Sequence, residues 1–237
     1  MFGLQTRYLS FFFGLIAILS FFNIIYSYYL NLYLNLDTYY LTLFISLTIS
    51  ILFYILKIPK KNQTIFNKIL TVFFGYILIP LILSIPFYFS IYNLTFLNSF
   101  FESTSGFTST GFSIFENIKH IDQSLILWRS STQWIGGLYF LFSIIFLIDI
   151  YDENFKKTLT NFISFDSSEI FKQAIKIFLL YSGLTLFIFI SLNIFSIRAF
   201  NSLNLALTLI SSGGFLPVNE LSSIIKDNTQ IIVFSIL

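Results

Sequence analysis

Residues 101–113 read FESTSGFTSTGFS, the end of a short apolar segment that runs into serine, threonine and glycine. That segment, about residues 96–107, is too short to cross a bilayer, which takes roughly 20 apolar residues. We therefore predict a re-entrant helix that stops partway through a membrane. Non-helical backbone at such depth is tolerated only where it is buried in protein or lines a water-filled path. The tract from Thr108 to Gly111, called the first tract, is suited to that role.

The same arrangement recurs 103 residues later, where residues 208–215 read TLISSGGF. At this offset a second short apolar segment, 199–210, falls on the first, and Gly214 falls on Gly111. A repeat of this size, built on membrane spans, indicates a duplicated transport unit. One such tract alone is more often a place where helices pack closely. Two tracts at matching positions favour a pore, and the second tract runs from Ser211 to Gly214.

Both tracts have the composition of a cation filter. Backbone carbonyls can replace the water ligands that a potassium ion loses. Small hydroxyl side chains pack behind such a strand, and glycine allows the positive φ angles that aim successive carbonyls at one axis. The C-terminal end of a re-entrant helix carries partial negative charge, which favours a cation over an anion. No ionised side chain is needed in such a filter.

The composition of the whole chain is that of a membrane protein. Of its 237 residues, 56% are hydrophobic and 10% are charged, and the mean hydropathy is +0.84. Soluble domains carry about a quarter charged residues. Five stretches are long enough to cross a bilayer, at about 9–31, 39–58, 68–90, 124–149 and 171–193. A sixth begins near Thr229 and stops at Leu237, so the chain is expected to be a fragment or one product of a divided gene.

Several classes of function are not indicated by the sequence. The absence of cysteine excludes disulfides and thiolate metal sites. A net charge of +2 is too small to indicate nucleic-acid binding. No phosphate-binding glycine loop, nucleophile elbow or histidine-rich metal motif is present in the sequence. We therefore expect neither an enzyme nor a bound cofactor.

Basic residues predict the orientation of the spans. They occur near Arg7, between residues 57 and 68, and between residues 156 and 176, at alternate ends of successive spans. The positive-inside rule places those ends in the cytoplasm. The N-terminus is therefore expected on the cytoplasmic side of the membrane.

Two stretches together resemble a known family. FESTSGFTSTGFS at 101–113, followed by LWRSSTQWIGGL at 127–138, resembles the first pore unit of the Trk/Ktr/HKT cation transporters. TLISSGGF at 208–215 resembles their second unit less closely. The resemblance covers essentially the whole chain. It implies four linked span–pore–span units around one potassium path, with two extra leading spans in the bacterial Trk branch.

On this resemblance the chain is an all-α integral membrane protein whose two leading transmembrane helices are followed by span–re-entrant pore loop–span repeats. Residues 1–60 would hold the leading helices and residues 61–150 the first unit. Residues 151–237 would hold the second unit, truncated in its last helix. Two further units would be missing, so the chain is not expected to conduct ions alone.

The resemblance also implies a function and partners. The function would be potassium uptake across the cytoplasmic membrane through a carbonyl-lined selectivity filter, with this chain as the N-terminal part of the pore subunit. The alternative is a non-conducting truncated remnant, or a structural subunit that needs a second polypeptide. Potassium would be the substrate, a cytoplasmic nucleotide-binding subunit the regulator, and a homodimer the complete assembly. Carried over by position, the ion-binding carbonyls are those of Thr108, Ser109, Thr110, Gly111, Ser211, Ser212, Gly213 and Gly214.

Three residues near the first tract have two interpretations each. Arg129 either reaches the outer interface beside Trp128 or pairs with a pore-helix carboxylate such as Glu102. Gly136 and Gly137 either allow close helix contact or loosen the span as a hinge. The charged loop at about 150–170 is a candidate docking surface for a regulatory partner.

Overall fold

The computed structural model describes residues 6–56, 65–147 and 170–236. The α-helices in these ranges are α1 (Thr6–Tyr29), α2 (Leu36–Ile55), α3 (Ile65–Leu83), α4 (Ile85–Ser90), α5 (Phe96–Phe107), α6 (Gln123–Leu147), α7 (Ile170–Ile194), α8 (Ala199–Ile210) and α9 (Asn228–Ile236). Five segments of the described chain are long and apolar enough to cross a membrane: α1, α2, α3 with α4, α6 and α7. The five predicted spans are confirmed, although α1 and α2 begin at residues 6 and 36 rather than 9 and 39.

The two leading helices pair through reciprocal hydrogen bonds. The Ser10 hydroxyl donates to the carbonyl of Ser50 at 2.8 Å, and the Ser50 hydroxyl donates to the carbonyl of Ser10 at 2.8 Å. Nearer the helix ends, the Thr6 hydroxyl donates to the carbonyl of Leu56 at 2.9 Å. Lipid tails give little hydrophobic drive for helix association, so small residues and such polar links hold neighbouring helices together.

The third span is interrupted where α3 meets α4. Pro80 lies inside α3, and Pro86 lies in the first turn of α4. Proline has no N–H and therefore removes a helical hydrogen bond. Near the interruption the indole of Trp128 donates to the carbonyl of Leu83 at 3.0 Å, and the Ser103 hydroxyl donates to the carbonyl of Pro80 at 2.8 Å. The interrupted segment therefore supplies carbonyl acceptors that hold α6 and α5 against the third span.

Aromatic rings fill the centre where α1, α3, α5 and α6 converge. The ring of Tyr139 lies 4.7 Å from Phe12, 5.0 Å from Tyr76 and 5.1 Å from Phe107, measured between centroids. Its hydroxyl donates to the carbonyl of Val72 at 2.9 Å. Edge-to-face and tilted ring pairs of this kind stabilise by about 1 kcal/mol each beyond their buried area. This cluster fixes α5 against three spans.

The two short helices have the same bounds at the offset of 103 residues. The helices α5 and α8 contain 12 residues each, and Phe96–Phe107 corresponds to Ala199–Ile210. At 1.5 Å per residue each is about 18 Å long, less than the roughly 30 Å of the hydrocarbon core. The turn before each helix also repeats, with φ of 66° at Asn93 and 62° at Ser196. Both predicted re-entrant segments are therefore helices with the expected ends.

Candidate functional site

Both short helices end in the same left-handed turn. Ser109 has φ of 55° and Ser212 has φ of 53°. A residue other than glycine in this region costs about 1–2 kcal/mol, and such strain persists where the surrounding structure determines it. Gly111 has φ of 79° and is the only described glycine with a positive φ. In the two tracts, positive φ angles are thus adopted by two serines as well as by one glycine.

Hydrogen bonds turn the backbone of each tract in the same way. The N–H of Thr110 donates to the carbonyl of Ser105 at 3.0 Å, and the N–H of Gly213 donates to the carbonyl of Thr208 at 2.8 Å. These bonds are equivalent under the offset of 103 residues. The N–H and C=O of a trans peptide point in opposite directions. The carbonyls of the two preceding serines therefore face away from the helix ends.

The structure brings the two predicted tracts into direct contact. A Cβ added to Gly111 would lie 2.7 Å from the Cα of Gly214, and a Cβ added to Gly214 would lie 3.1 Å from the Cα of Gly111. Contact between two backbones leaves no space for a side chain at Gly111, where a positive φ also favours glycine. Residues 103 apart in sequence are thus neighbours in the fold.

The predicted site residues line an exposed edge of the described structure. Thr108, Thr110, Ser212 and Gly214 are exposed, Ser109, Gly111 and Gly213 are half-buried, and Ser211 is buried. The hydroxyl groups of Thr108 and Thr110 lie 2.7 Å apart. Among the residues the structure describes, no three His, Cys, Asp or Glu side chains form a group that could hold a metal ion. The chemistry available at this edge is that of backbone carbonyls and hydroxyl groups.

Two adjacent glycines on α6 are in close contact with the C-terminal ends of the two short helices. A Cβ added to Gly136 would overlap the carbonyl oxygen of Phe107, the last residue of α5. A Cβ added to Gly137 would lie 2.8 Å from the Cβ of Ser211, the C-cap of α8. The interpretation of these glycines as points of close contact is supported by this geometry. Both lie inside the unbroken helix α6, which gives no sign of a hinge.

Arg129 and Glu102 form a buried ion pair. The Nε of Arg129 lies 2.8 Å from a carboxylate oxygen of Glu102, and the side chains are 1% and 0% exposed. The other carboxylate oxygen accepts from the N–H of Ile114 at 3.0 Å. The Ser113 hydroxyl donates to Glu102 at 3.0 Å and accepts from Arg129 at 3.0 Å. Of the two interpretations of Arg129, the structure selects the pair with Glu102 and not the interface.

The same arginine also contacts the two residues that follow the second tract. Its guanidinium carbon lies 4.2 Å from the ring centroid of Phe215, which follows Gly214. Its Nη1 lies 3.5 Å from the carbonyl of Leu216. At the offset of 103 residues Glu102 corresponds to Leu205, an apolar residue. One ion pair from the first repeat therefore contacts the segments that follow both tracts.

A buried glutamine with no role predicted from the sequence also contacts the residue that follows the second tract. The side-chain oxygen of Gln133 accepts a hydrogen bond from the N–H of Phe215 at 3.3 Å. Arg129 and Gln133 are four residues apart on α6, so they lie on one face of that helix. The sequence signals for Gln133 were its polarity within an apolar span and its place in the stretch 127–138. The candidate docking loop at 150–170 falls almost entirely outside the described residues.

Sequence comparisons find similarity to two cation transporters. No family model matches the chain. An uncharacterized cation transporter of Methanocaldococcus jannaschii is 25% identical over 237 aligned positions, which cover 94% of this chain and 48% of that protein. The Trk system potassium uptake protein TrkI of Halomonas elongata is 38% identical over 60 residues, 25% of this chain and 11% of that protein.

A solved structure extends the likeness to the whole chain. The crystal structure of the potassium transporter TrkH from Vibrio parahaemolyticus matches with a TM-score of 0.78 and 16% identity, over 100% of this chain and 48% of that one. This chain therefore has the fold of the N-terminal half of TrkH, and the predicted resemblance to Trk-type transporters is confirmed. The chain spans about half the length of the M. jannaschii relative and of TrkH. These relatives are transporters, in agreement with the expectation of a protein that is not an enzyme.

Proposed function

We propose that this chain is the N-terminal part of the pore subunit of a potassium-uptake transporter, and that its two tracts supply half of a carbonyl-lined selectivity filter. The observation that carries this proposal is the backbone contact between Gly111 and Gly214 at the ends of two equivalent short helices. A filter needs several strands around one axis, each with its carbonyls turned inward. Equivalent hydrogen bonds at the two helix ends turn the tracts in the same sense.

The proposed filter residues are the eight of the two tracts, and potassium is their proposed ligand. Carbonyl oxygens can replace the hydration shell of potassium, and the C-terminal ends of α5 and α8 add a favourable field for a cation. Uptake would be driven by the membrane potential, at about 2.3 kcal/mol per charge per 100 mV. The ligands on the opposite side of the ion would come from two further units.

The remaining parts of the proposal concern the placement and partners of the chain. The N-terminus would lie in the cytoplasm and the protein in the cell inner membrane, in accordance with the positive-inside rule. The chain would divide into leading helices (1–60), a first unit (61–150) and a second unit (151–237). A cytoplasmic nucleotide-binding subunit would regulate transport, and the complete transporter would be a homodimer.

Potassium uptake in a bacterial strain that lacks its own uptake systems tests the proposal. The experiment compares this chain alone with a form extended by the downstream coding sequence. We expect growth at low potassium with the extended form only. Growth with the chain alone would mean that two copies assemble a four-unit pore. Absence of uptake from both forms, with membrane insertion verified, would refute the potassium assignment and favour a non-conducting role.

Substitution of Gly111 with serine tests the proposed filter directly. The new Cβ would lie 2.7 Å from the Cα of Gly214, at a position whose φ of 79° disfavours a side chain. We expect the ratio of potassium to sodium uptake to fall, because the carbonyls around Gly111 must shift. The control is Gly183→Ser, since a Cβ at Gly183 meets nothing within 4 Å beyond its chain neighbours and the backbone of its own helix. An unchanged ratio in a folded Gly111→Ser protein would contradict the assignment of the first tract.

A further inference from the structure

The carboxamide of Gln133 is held against the backbone of the second tract. Its side chain is 0% exposed. A Cβ added to Gly213 would lie 2.5 Å from its Oε1 and 2.6 Å from its Nε2. The amide therefore occupies the space that a side chain at residue 213 would need. Gly213 has no positive φ, so its backbone conformation does not itself require glycine.

The hydrogen bond from Phe215 fixes which way the amide is turned. Oε1 accepts from the N–H of Phe215 at 3.3 Å. A flipped amide would set its NH₂ group against that N–H, donor against donor. In the present orientation Nε2 is buried with no hydrogen-bond partner in the described structure. A buried, unpaired donor is unfavourable, so the amide is not placed to satisfy its own hydrogen bonds.

The geometry of the peptide bond gives the consequence for the tract. The N–H of Phe215 and the carbonyl of Gly214 belong to one peptide unit and point in opposite directions. Since Gln133 holds the N–H on the side of α6, the Gly214 carbonyl points away from α6. Gly214 is exposed and contacts Gly111, whereas Phe215 is buried beside Arg129. The carbonyl thus faces the exposed edge that the two tracts share.

The first tract is held in another way. There the Ser105 hydroxyl donates to the carbonyl of Phe112 at 2.5 Å, so the constraint comes from α5 itself. Thr208, which corresponds to Ser105, has a buried hydroxyl with no partner in the described structure. Phe112 is 69% exposed and Phe215 is 2% exposed. The second tract therefore lacks the side-chain hydrogen bond from its own short helix that the first tract has. Its end is held instead by a hydrogen bond to a neighbouring span.

We infer that Gln133 is a positioning residue for ion selectivity, because its carboxamide fixes the Gly214–Phe215 peptide so that the Gly214 carbonyl faces the ion path. This inference rests on the proposed filter function. It makes the selectivity of the second tract depend on one acceptor atom on α6, the side-chain oxygen of Gln133. The acceptor belongs to the preceding repeat, 82 residues earlier in the chain.

Two substitutions of Gln133 separate the acceptor from the size of the side chain. Gln133→Met keeps the length and removes the acceptor, whereas Gln133→Glu keeps the length and an acceptor oxygen. The matched control is Gln230→Met. Gln230 is also buried, and it donates to the carbonyl of Phe195 at 2.9 Å and accepts from the N–H of Lys226 at 2.9 Å, without contact to either tract.

The measurements are the ratio of potassium to sodium uptake and the melting temperature in detergent, in whichever form of the protein takes up potassium. We expect the ratio to fall about tenfold in Gln133→Met, the size of effect when one orienting hydrogen bond is lost. In Gln133→Glu it should stay within about threefold of wild type, since an acceptor remains. Gln133→Met should not melt earlier, because it also removes the unpaired Nε2. Gln230→Met should melt earlier with an unchanged ratio.

Two results would overturn the inference. The first is a wild-type ratio in Gln133→Met, which leaves the proposed function intact. A lower melting temperature beside that ratio would make Gln133 a structural residue only. The second is an equal fall of the ratio in Gln133→Met and Gln230→Met, which would make it a general effect of weakened folding. Absence of potassium uptake by the wild-type protein would instead refute the proposed function, and the inference with it.

Discussion

Glu102→Ala is expected to lower the free energy of unfolding by about 3–5 kcal/mol, because it leaves the charge of Arg129 buried without a partner. Both side chains of the pair are almost fully buried. The same substitution removes the acceptor for the N–H of Ile114 and for the Ser113 hydroxyl. We therefore expect little folded protein in detergent, as measured by size-exclusion chromatography and by the melting temperature.

A double variant distinguishes the effect of the unpaired buried charge from the effect of the lost hydrogen bonds to the carboxylate. Replacing a buried ion pair with apolar residues of similar volume is often neutral or stabilising. Glu102→Leu with Arg129→Met should therefore recover most of the folded protein that Glu102→Ala loses. The control is Glu116→Ala, since Glu116 is exposed. If the double variant were as unstable as the single one, the carboxylate bonds to Ser113 and Ile114 would be the main contribution, and not the pairing of charges.

The recovered double variant also has an expected functional defect. Arg129 contacts Ser113 after the first tract and Phe215 and Leu216 after the second. Without it, the segments that follow the two tracts lose their common link. We expect the folded double variant to take up potassium with weaker preference over sodium. A wild-type preference would show that the ion pair serves folding alone.

Gly136→Ala is expected to have the second large effect. The new Cβ would overlap the carbonyl oxygen of Phe107, a backbone atom that cannot move without the end of α5. Overpacking of this kind costs about 1–3 kcal/mol, and occasionally more. The first tract begins at the next residue, Thr108, so any relief by movement of α5 displaces the proposed filter. We expect potassium uptake to be lost even where the protein still inserts into the membrane.

Gly183→Ala is the matched control for this substitution. Both glycines lie inside long helices, but a Cβ at Gly183 meets nothing within 4 Å beyond its chain neighbours and the backbone of its own helix. Alanine there should be neutral or stabilising by up to about 1 kcal/mol, from the higher helix propensity of alanine. Uptake and insertion are measured for both variants in the same strain. Equal uptake by Gly136→Ala and Gly183→Ala would contradict the close contact between α6 and the end of α5.

Much of the fold could be predicted because its signals are local. The length of each apolar run against the thickness of a bilayer gave five spans and two helices too short to cross. The predicted bounds of the short helices, 96–107 and 199–210, agree with α5 and α8. The polar tracts that end these helices are also local, and their repetition at one offset identified the candidate site.

The positions of the positive φ angles could not be predicted from the location of glycine alone. Gly111 adopts such an angle, but Gly214 does not. Ser109 and Ser212 adopt them instead. The conformation of these serines is set by hydrogen bonds back to the ends of α5 and α8, with acceptors at Gly106 and Leu209. A propensity scale describes the preference of one residue and does not include such a constraint.

By itself, the sequence determined the membrane class, the number of spans, the two short helices and the tracts that end them, since each depends on residues adjacent in the chain. Only the tertiary structure decided which distant groups meet. It paired Arg129 with Glu102 rather than with the interface, and it set Gln133 against the second tract. The physical reason is that apolar length fixes a helix in the membrane but not its rotation or its neighbours. Those depend on backbone contacts, such as that of Gly136 with Phe107, which form only when the helices pack.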